Sequence, residues 1–156
     1  MVMNAKDPIS GSLGECYVNV NGTYEPLINL KNVEISYEKS MADVPRLGTN
    51  VVGHKGGQLT LSGTAELYYN SPRFRKLVMD YMHLGIDTYF DMKIINNDPT
   101  SSAGQQVVIA KGCNITSGIL AKLDIDSEIL DEEIEFTVED VITESHFTEL
   151  EGGFSL

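Results

Sequence analysis

The stretch LYYNSPRFRKLVMDYMHLG, Leu67 to Gly85, constrains the fold most, because its apolar period changes halfway. Leu67 and Tyr69 continue an every-second-residue pattern, the mark of a half-buried strand. Phe74, Leu77, Val78, Tyr81 and Met82 then follow a helical one. Ser71 can cap such a helix, Pro72 suits its first position, and Gly85 supplies the left-handed residue that ends it. The apolar stripe of this helix (72–84), extended by Leu84, must cover a sheet or the mouth of a barrel.

The surrounding chain reads as strands. Val33, Ile35 and Tyr37 alternate with polar Asn32, Glu34, Ser36 and Glu38, and Leu59, Leu61, Ala65, Leu67 and Tyr69 with Thr60, Ser62, Thr64, Glu66 and Tyr68. Asn21-Gly22 between Cys16–Val20 and Tyr24–Ile28 is a strong hairpin signal, with Pro26 placing the second arm at an edge. Further strands are expected over Thr88–Ile95, Gln105–Ala110, Asn114–Leu123 and Glu133–Ile142. About seven strands and one helix make the chain mainly β, an α+β variant: a β-barrel or sandwich with one flanking helix. With 156 residues, one domain over 1–156 is expected.

Two connections stand out. Ser40–Gln58, with Pro45, Gly48, Gly53, Gly56 and Gly57, is long for a structureless loop in a compact domain, and such loops usually carry function or disorder. Asn96–Gln105 is shorter turn chemistry of the same kind.

Signatures of chemistry are missing from the sequence. His54, His83 and His146 are isolated from one another, and no HExxH, GxSxG, Walker or GxGxxG motif occurs. His83 suits a surface place at the helix end. Cys16 and Cys113 lack metal-site spacing and read as small core residues. Asp124, Asp126, Glu128, Glu132 and Glu135 match positions 1, 3, 5, 9 and 12 of an EF-hand loop, but Ile129 stands where the turn needs glycine, and the chain continues as a strand. No catalytic residue, cofactor or metal is expected.

Charge is segregated. The net charge of −12 argues against a nucleic-acid-binding surface, which depends on Lys and Arg neutralising phosphates. After Lys122 there is no Lys or Arg, although twelve of the 23 carboxylates lie there. With Ile134, Phe136 and Val138 facing the core, Glu133, Glu135 and Glu139 are expected on the opposite face, either as a solvated surface or as one that repels polyanions or meets another copy. Arg73, Arg75 and Lys76 in the first helical turn oppose its dipole, so an acidic partner would make their placement sensible. The amino end has no signal-peptide pattern and no stretch is long and apolar enough to span a membrane, so a cytosolically made soluble chain is expected.

The run SGTAELYYNSPRFRKLVMDYMHLGIDTYFDMKIINNDPTSSAGQQVVI, Ser62 to Ile109, followed by ILAKLDID, closely resembles the tail tube proteins of contractile phages and phage-like particles of Gram-positive bacteria, the PBSX type. ISG at Ile9, Asn21-Gly22, Leu47-Gly48 and His54-Lys55 support a resemblance over essentially the whole chain. It implies a β-barrel flanked by a helix. Six copies would form a ring through joined sheets, and rings would stack into a hollow tube inside a contractile sheath, conducting DNA in a phage or puncturing a target cell in an R-type bacteriocin. No catalysis is implied. The partners would be further copies, sheath and baseplate proteins, with DNA only as passing cargo, in a particle made in the bacterial host cytoplasm.

On this reading 40–58 is an assembly loop. Candidate inter-subunit contacts are Pro45, Arg46, Leu47, His54, Lys55, Arg73, Arg75 and Lys76, and Glu133, Glu135 and Glu139 form a candidate acidic lumen or interface face. Phe74, Leu77, Val78, Tyr81 and Met82 would close the barrel, leaving Arg73, Lys76, Asp80 and His83 free for a neighbour. The rival readings are a monomeric β-sandwich ligand-binding module, disfavoured without tryptophan, and a tail connector or completion protein forming a single ring.

Overall fold

A computed structural model describes residues 2–150 and contains eight strands and one helix. β1 (Gly14–Asn19) and β2 (Tyr24–Pro26) flank the Asn21-Gly22 turn. Gly22 adopts φ 89°, and its N–H donates to Asn19 Oδ1 at 2.7 Å. β2 ends at Pro26 and is the outermost strand, the place where a missing backbone N–H costs nothing.

β3 (Leu30–Val44) and β4 (Gly53–Tyr68) are much longer than their neighbours. They pair antiparallel from Leu30↔Leu67 to Val44↔Gly53, with a bulge where the register shifts between Lys39 and Met41. The expected loop Ser40–Gln58 is therefore mostly strand; only residues 45–52 form the turn, with Gly48 at φ 85°. The glycines and Pro45 that suggest a loop sit at the bulge and the turn of one continuous ribbon.

β5 (Phe90–Asn97), β6 (Gln105–Ser117), β7 (Asp131–Val138) and β8 (Asp140–Ser145) complete the sheet, in the order β2-β1-β5-β6-β7-β4-β3. β6 serves two layers. Val107–Lys111 pairs with β8, whereas Asn114–Ser117 pairs with β7. At the corner Gly112 adopts φ 65°, and a Cβ there would lie 2.6 Å from the Glu139 carboxylate, so glycine alone fits. The expected strands at 105–110 and 114–123 are thus one strand ending at Ser117, and Glu133–Ile142 is broken at Glu139.

The core lies between the layers. Cys16, Val18, Phe90 and Met92 from one side meet Ala65, Leu67, Ile134, Phe136 and Val138 from the other. Phe74, Phe90 and Phe136 form a tilted aromatic chain with centroids 5.6 and 5.9 Å apart, joining the helix to both layers. Cys113 is also in this core, and burial pushes both thiols up to about 12.

The helix α1 (Arg73–Leu84) begins after Pro72, and the Ser71 hydroxyl accepts from Arg73 N–H at 3.4 Å. It ends at left-handed Gly85, where Gly85 N–H donates to Tyr81 O and Ile86 N–H to Asp80 O, a Schellman arrangement. Its cover is shallower than the period suggests: Phe74 is buried and Leu77 and Val78 half-buried, but Tyr81 and Met82 are exposed. The sheet does not close. Among the described residues β3 pairs with β4 alone, and an 890 Å³ groove lined by Cys16, Leu30, Val33 and Ile94 separates it from β1 and β2.

Candidate assembly surfaces

Antiparallel partners share a face, so the register fixes what the ribbon presents. One face runs Val33, Ile35 and Tyr37 on β3 beside Ala65, Gly63, Leu61 and Leu59 on β4. Its root packs on the core, with Leu67 fully buried. Past Leu61 none of the described residues covers it: Tyr37 is 75% exposed and Leu59 57%. The ribbon runs on past Leu61 for about eight more residues of strand, or about 26 Å at 3.3 Å per residue, although between Gly53 and Gln58 β4 carries no large apolar side chain.

The tip is ordered by its own contacts. Arg46 Nη2 donates to Val51 O at 3.3 Å, Val51 N–H to Thr49 Oγ1 at 3.1 Å, and His54 Nδ1 lies 3.0 Å from Asp43 Oδ1. Pro45, Arg46, Leu47, His54 and Lys55 come together here, and Leu47 is wholly exposed. A cluster of exposed apolar side chains on a two-stranded ribbon is what an interaction site needs and what an isolated domain avoids.

The opposite face of the same layer is polar. Glu66 sits across from Glu133, and Thr64 lies between Glu34 and Glu135. Glu34 and Glu66 join the predicted Glu133 and Glu135; alternation marks each as outward, but only the pairing brings them together. Glu139 does not belong to this row, because β7 ends at Val138 and Glu139 packs on Gly112 at the corner. Lys31 holds one end of the face, 2.7 Å from Asp131 and 3.5 Å from Glu66. The hydrogen bond from Lys31 holds the Asp131 carboxyl below the usual aspartate range.

The three cations of the first helical turn separate. Arg75 points inward: it reaches Glu132 Oε2 at 2.6 Å, donates to Ser71 O at 2.7 Å, and stacks 4.5 Å from the Tyr69 ring centroid. Burial pushes the Glu132 carboxyl up, and Arg75 only partly offsets it. Arg73 meets Glu25 at 3.2 Å. Arg73 is therefore not free as expected, and Arg75 leaves the set of inter-subunit candidates. The acidic partners that their position calls for come from the same chain. Lys76, Asp80 and His83 are exposed.

This arrangement has counterparts. Residues 1–143 match the family described as phage tail tube protein. The chain belongs to that family. The Phage-like element PBSX protein XkdM of Bacillus subtilis (strain 168) is 34% identical over 140 residues, covering 90% of this chain and 92% of XkdM. Among solved structures, a chain of the anti-feeding prophage baseplate superposes with TM-score 0.69 at 15% identity, over 92% of this chain and 97% of the other. The SPP1 tail tube gives 0.64 at 11%, over 96% and 91%. These two likenesses concern the fold: the open, two-layered β architecture with one helix is that of tail tube proteins. A tail tube protein is a structural subunit of a phage tail or phage-like particle, which accounts for a β-rich body whose conspicuous features are surfaces.

Proposed function

We propose that this tail tube protein assembles into hexameric rings that stack into a hollow tube within a contractile sheath, conducting DNA or puncturing a target cell, without catalysis. The observation that carries the reading is the β3–β4 ribbon, whose apolar face continues past the body to Tyr37 and Leu59 with none of the described residues covering it. Buried in a neighbour, that face would gain about 25 cal/mol for each Å² of apolar surface removed from water. The bare edge of β3 offers a further row of backbone groups for pairing, a liability in a monomer and an asset in a ring. Head-to-tail contacts of this kind close into rings or continue as open stacks.

The Glu34, Glu66, Glu133 and Glu135 face lines the lumen in this reading. Like charge would keep DNA from adhering, and the small Thr64 between Glu34 and Glu135, with Ser62 next along between Ser36 and Thr137, leaves no apolar foothold. Pro45, Arg46, Leu47, His54, Lys55 and Lys76 contact neighbours, and sheath and baseplate proteins are the other partners, in a particle assembled within the bacterial host.

Negative-stain electron microscopy of the purified chain at rising concentration is the direct test. Rings or hollow tubes are the expected outcome; a chain that stays dispersed at every concentration, even with sheath and baseplate proteins added, would overturn the reading. For the lumen, replacing Glu133 and Glu135 by lysine should leave tubes intact and make them retain DNA on a filter. Tubes indifferent to this change would remove the lumen assignment alone.

A further inference from the structure

Besides the arm face at Tyr37 and Leu59, the described residues form two further exposed apolar surfaces, one convex and one concave. The convex surface is the ribbon tip, where Leu47, Val51 and Val52 are exposed. The concave one is a cleft of 490 Å³ between α1 and the segment leaving β6, walled by Leu77, Val78, Tyr81, Ile115, Ile119 and Leu120. Its volume falls within the roughly 300–1,000 Å³ of concave sites that hold compact apolar groups.

The charges of the two are opposite. From Pro45 to Gly57 the chain carries Arg46, His54 and Lys55 and no carboxylate; Asp43 on the facing strand pairs with His54 at 3.0 Å, which leaves Arg46 and Lys55 as the tip's cations without an ion pair among the described residues, on a molecule of net charge −12. In the cleft Arg75 is neutralised by Glu132, which leaves Asp87, hydrogen-bonded by Asn114 Nδ2 at 3.2 Å, as the uncompensated charge. A ribbon that leads away from the body takes its tip to another copy. A convex patch that matches a pocket elsewhere on the same chain makes a heterologous contact, which propagates.

We propose that the ribbon tip of one subunit docks in the α1–β6 cleft of a second copy, with Leu47 as the apolar anchor and Lys55 facing Asp87. This rests on the tail tube reading and deepens it by naming the surface that receives the ribbon. Cleft and tip are far apart on one subunit, so each copy offers one of each, and the contact joins successive copies in one direction.

Disulfide trapping tests it. Cys16 and Cys113 are buried with thiols pushed up to about 12, so neither competes under mild oxidation. A chain carrying both Leu47→Cys and Leu120→Cys, assembled and oxidised, should run on a non-reducing gel as a ladder of covalent dimers, trimers and larger species. Either single variant should give none. Rings or tubes without a ladder overturn the docking and leave the tube reading standing. A wild-type chain that never assembles, seen by microscopy, defeats the tube reading itself. Leu47→Cys alone giving dimers would show tip meeting tip and also overturn the proposal.

Charge exchange gives a second readout. Lys55→Glu and Asp87→Lys should each raise the concentration needed for assembly about tenfold, and the two together should restore it. Two weak single variants with no recovery in the double variant overturn the pairing.

Discussion

The root and the arm of the β3–β4 ribbon share one hydrogen-bonded ladder and differ in what covers them. At Ala65 and Leu67 the inner face packs into the core beside Ile134 and Phe136 of the paired strand β7; at Tyr37 and Leu59, a few residues along the same strands, it meets solvent. The backbone pairing continues through both. Pairing therefore sets the shape of the ribbon, while cover sets its energy. The root holds the fold together, and the arm stays rigid enough to be presented without contributing to the core.

Two glycines of β4 separate these roles most sharply. A Cβ on Gly63 would lie 2.4 Å from the Phe136 ring and 2.9 Å from Ile35 Cδ1, both fixed in the core. Gly63→Val should abolish folding, seen as loss of the cooperative thermal transition, because a packed interior cannot give way. On Gly57 the near atom is Ser40 Oγ at 2.7 Å, an exposed hydroxyl held only by a 3.3 Å hydrogen bond to Gln58 O and able to turn aside, so Gly57→Ala should melt close to the wild type. Equal damage from both would mean that the arm is packed after all.

Next in size is the inward arginine. Arg75→Ala leaves Glu132 buried without a counter-charge and should lower stability by about 3 kcal/mol in urea unfolding. Its exposed neighbour Lys76→Ala should cost under about 0.5 kcal/mol. Leu47→Asp at the tip should likewise shift monomer stability by no more than about 0.5 kcal/mol, yet abolish assembly by sedimentation. A stability loss there would place Leu47 against its own body.

The smallest effect is the acid limb. Asp131 at the root is held below the ordinary aspartate value of 3.8 by the hydrogen bond and charge of Lys31, then Lys122. A depressed carboxyl stabilises the fold above its unfolded value, and that contribution fades as the pH falls through the folded one. Urea midpoints should therefore drop as the pH goes below about 4, and Asp131→Asn should flatten this part of the curve. Asp98, hydrogen-bonded by Thr100 Oγ1 at 2.7 Å and by the N–H groups of Ser10 and Thr100 at 3.0 Å, is also depressed and adds to the same limb.

Much of the architecture was legible wherever burial writes a period into the sequence. The helix between Pro72 and Gly85 and the inward row Ile134, Phe136 and Val138 lie where one face is covered, while the Asn21-Gly22 hairpin and the edge position of Pro26, on an exposed strand, follow from turn and proline chemistry. The arm was read as a loop because neither of its faces is covered within one chain: with no core to address, Ser40–Gln58 has no reason to alternate. Tyr81 and Met82 show the converse, a helical period that continues past the point where the body ends. The tip residues were recognisable from the family resemblance, whereas Glu34, Glu66 and the α1–β6 cleft depend on strand pairing and packing that no local pattern encodes.

β6, shared by both layers, imposes an order on manufacture. Its two halves are joined by β7 and β8, the last strands of the chain, and β7 also supplies the inner neighbour of β4. A nascent chain that has emerged only as far as Ser117 thus has β4 and β6 each with one side open, and neither layer is complete. Long-range pairing of this kind forms late and slowly. Because the ribbon root gains its inner neighbour only from residues beyond Ser117, the last quarter of the 156, a growing chain lacks a firmly mounted arm until they arrive. In the proposed assembly, translation itself would then work as a timer, holding polymerisation back until β7 and β8 are in place.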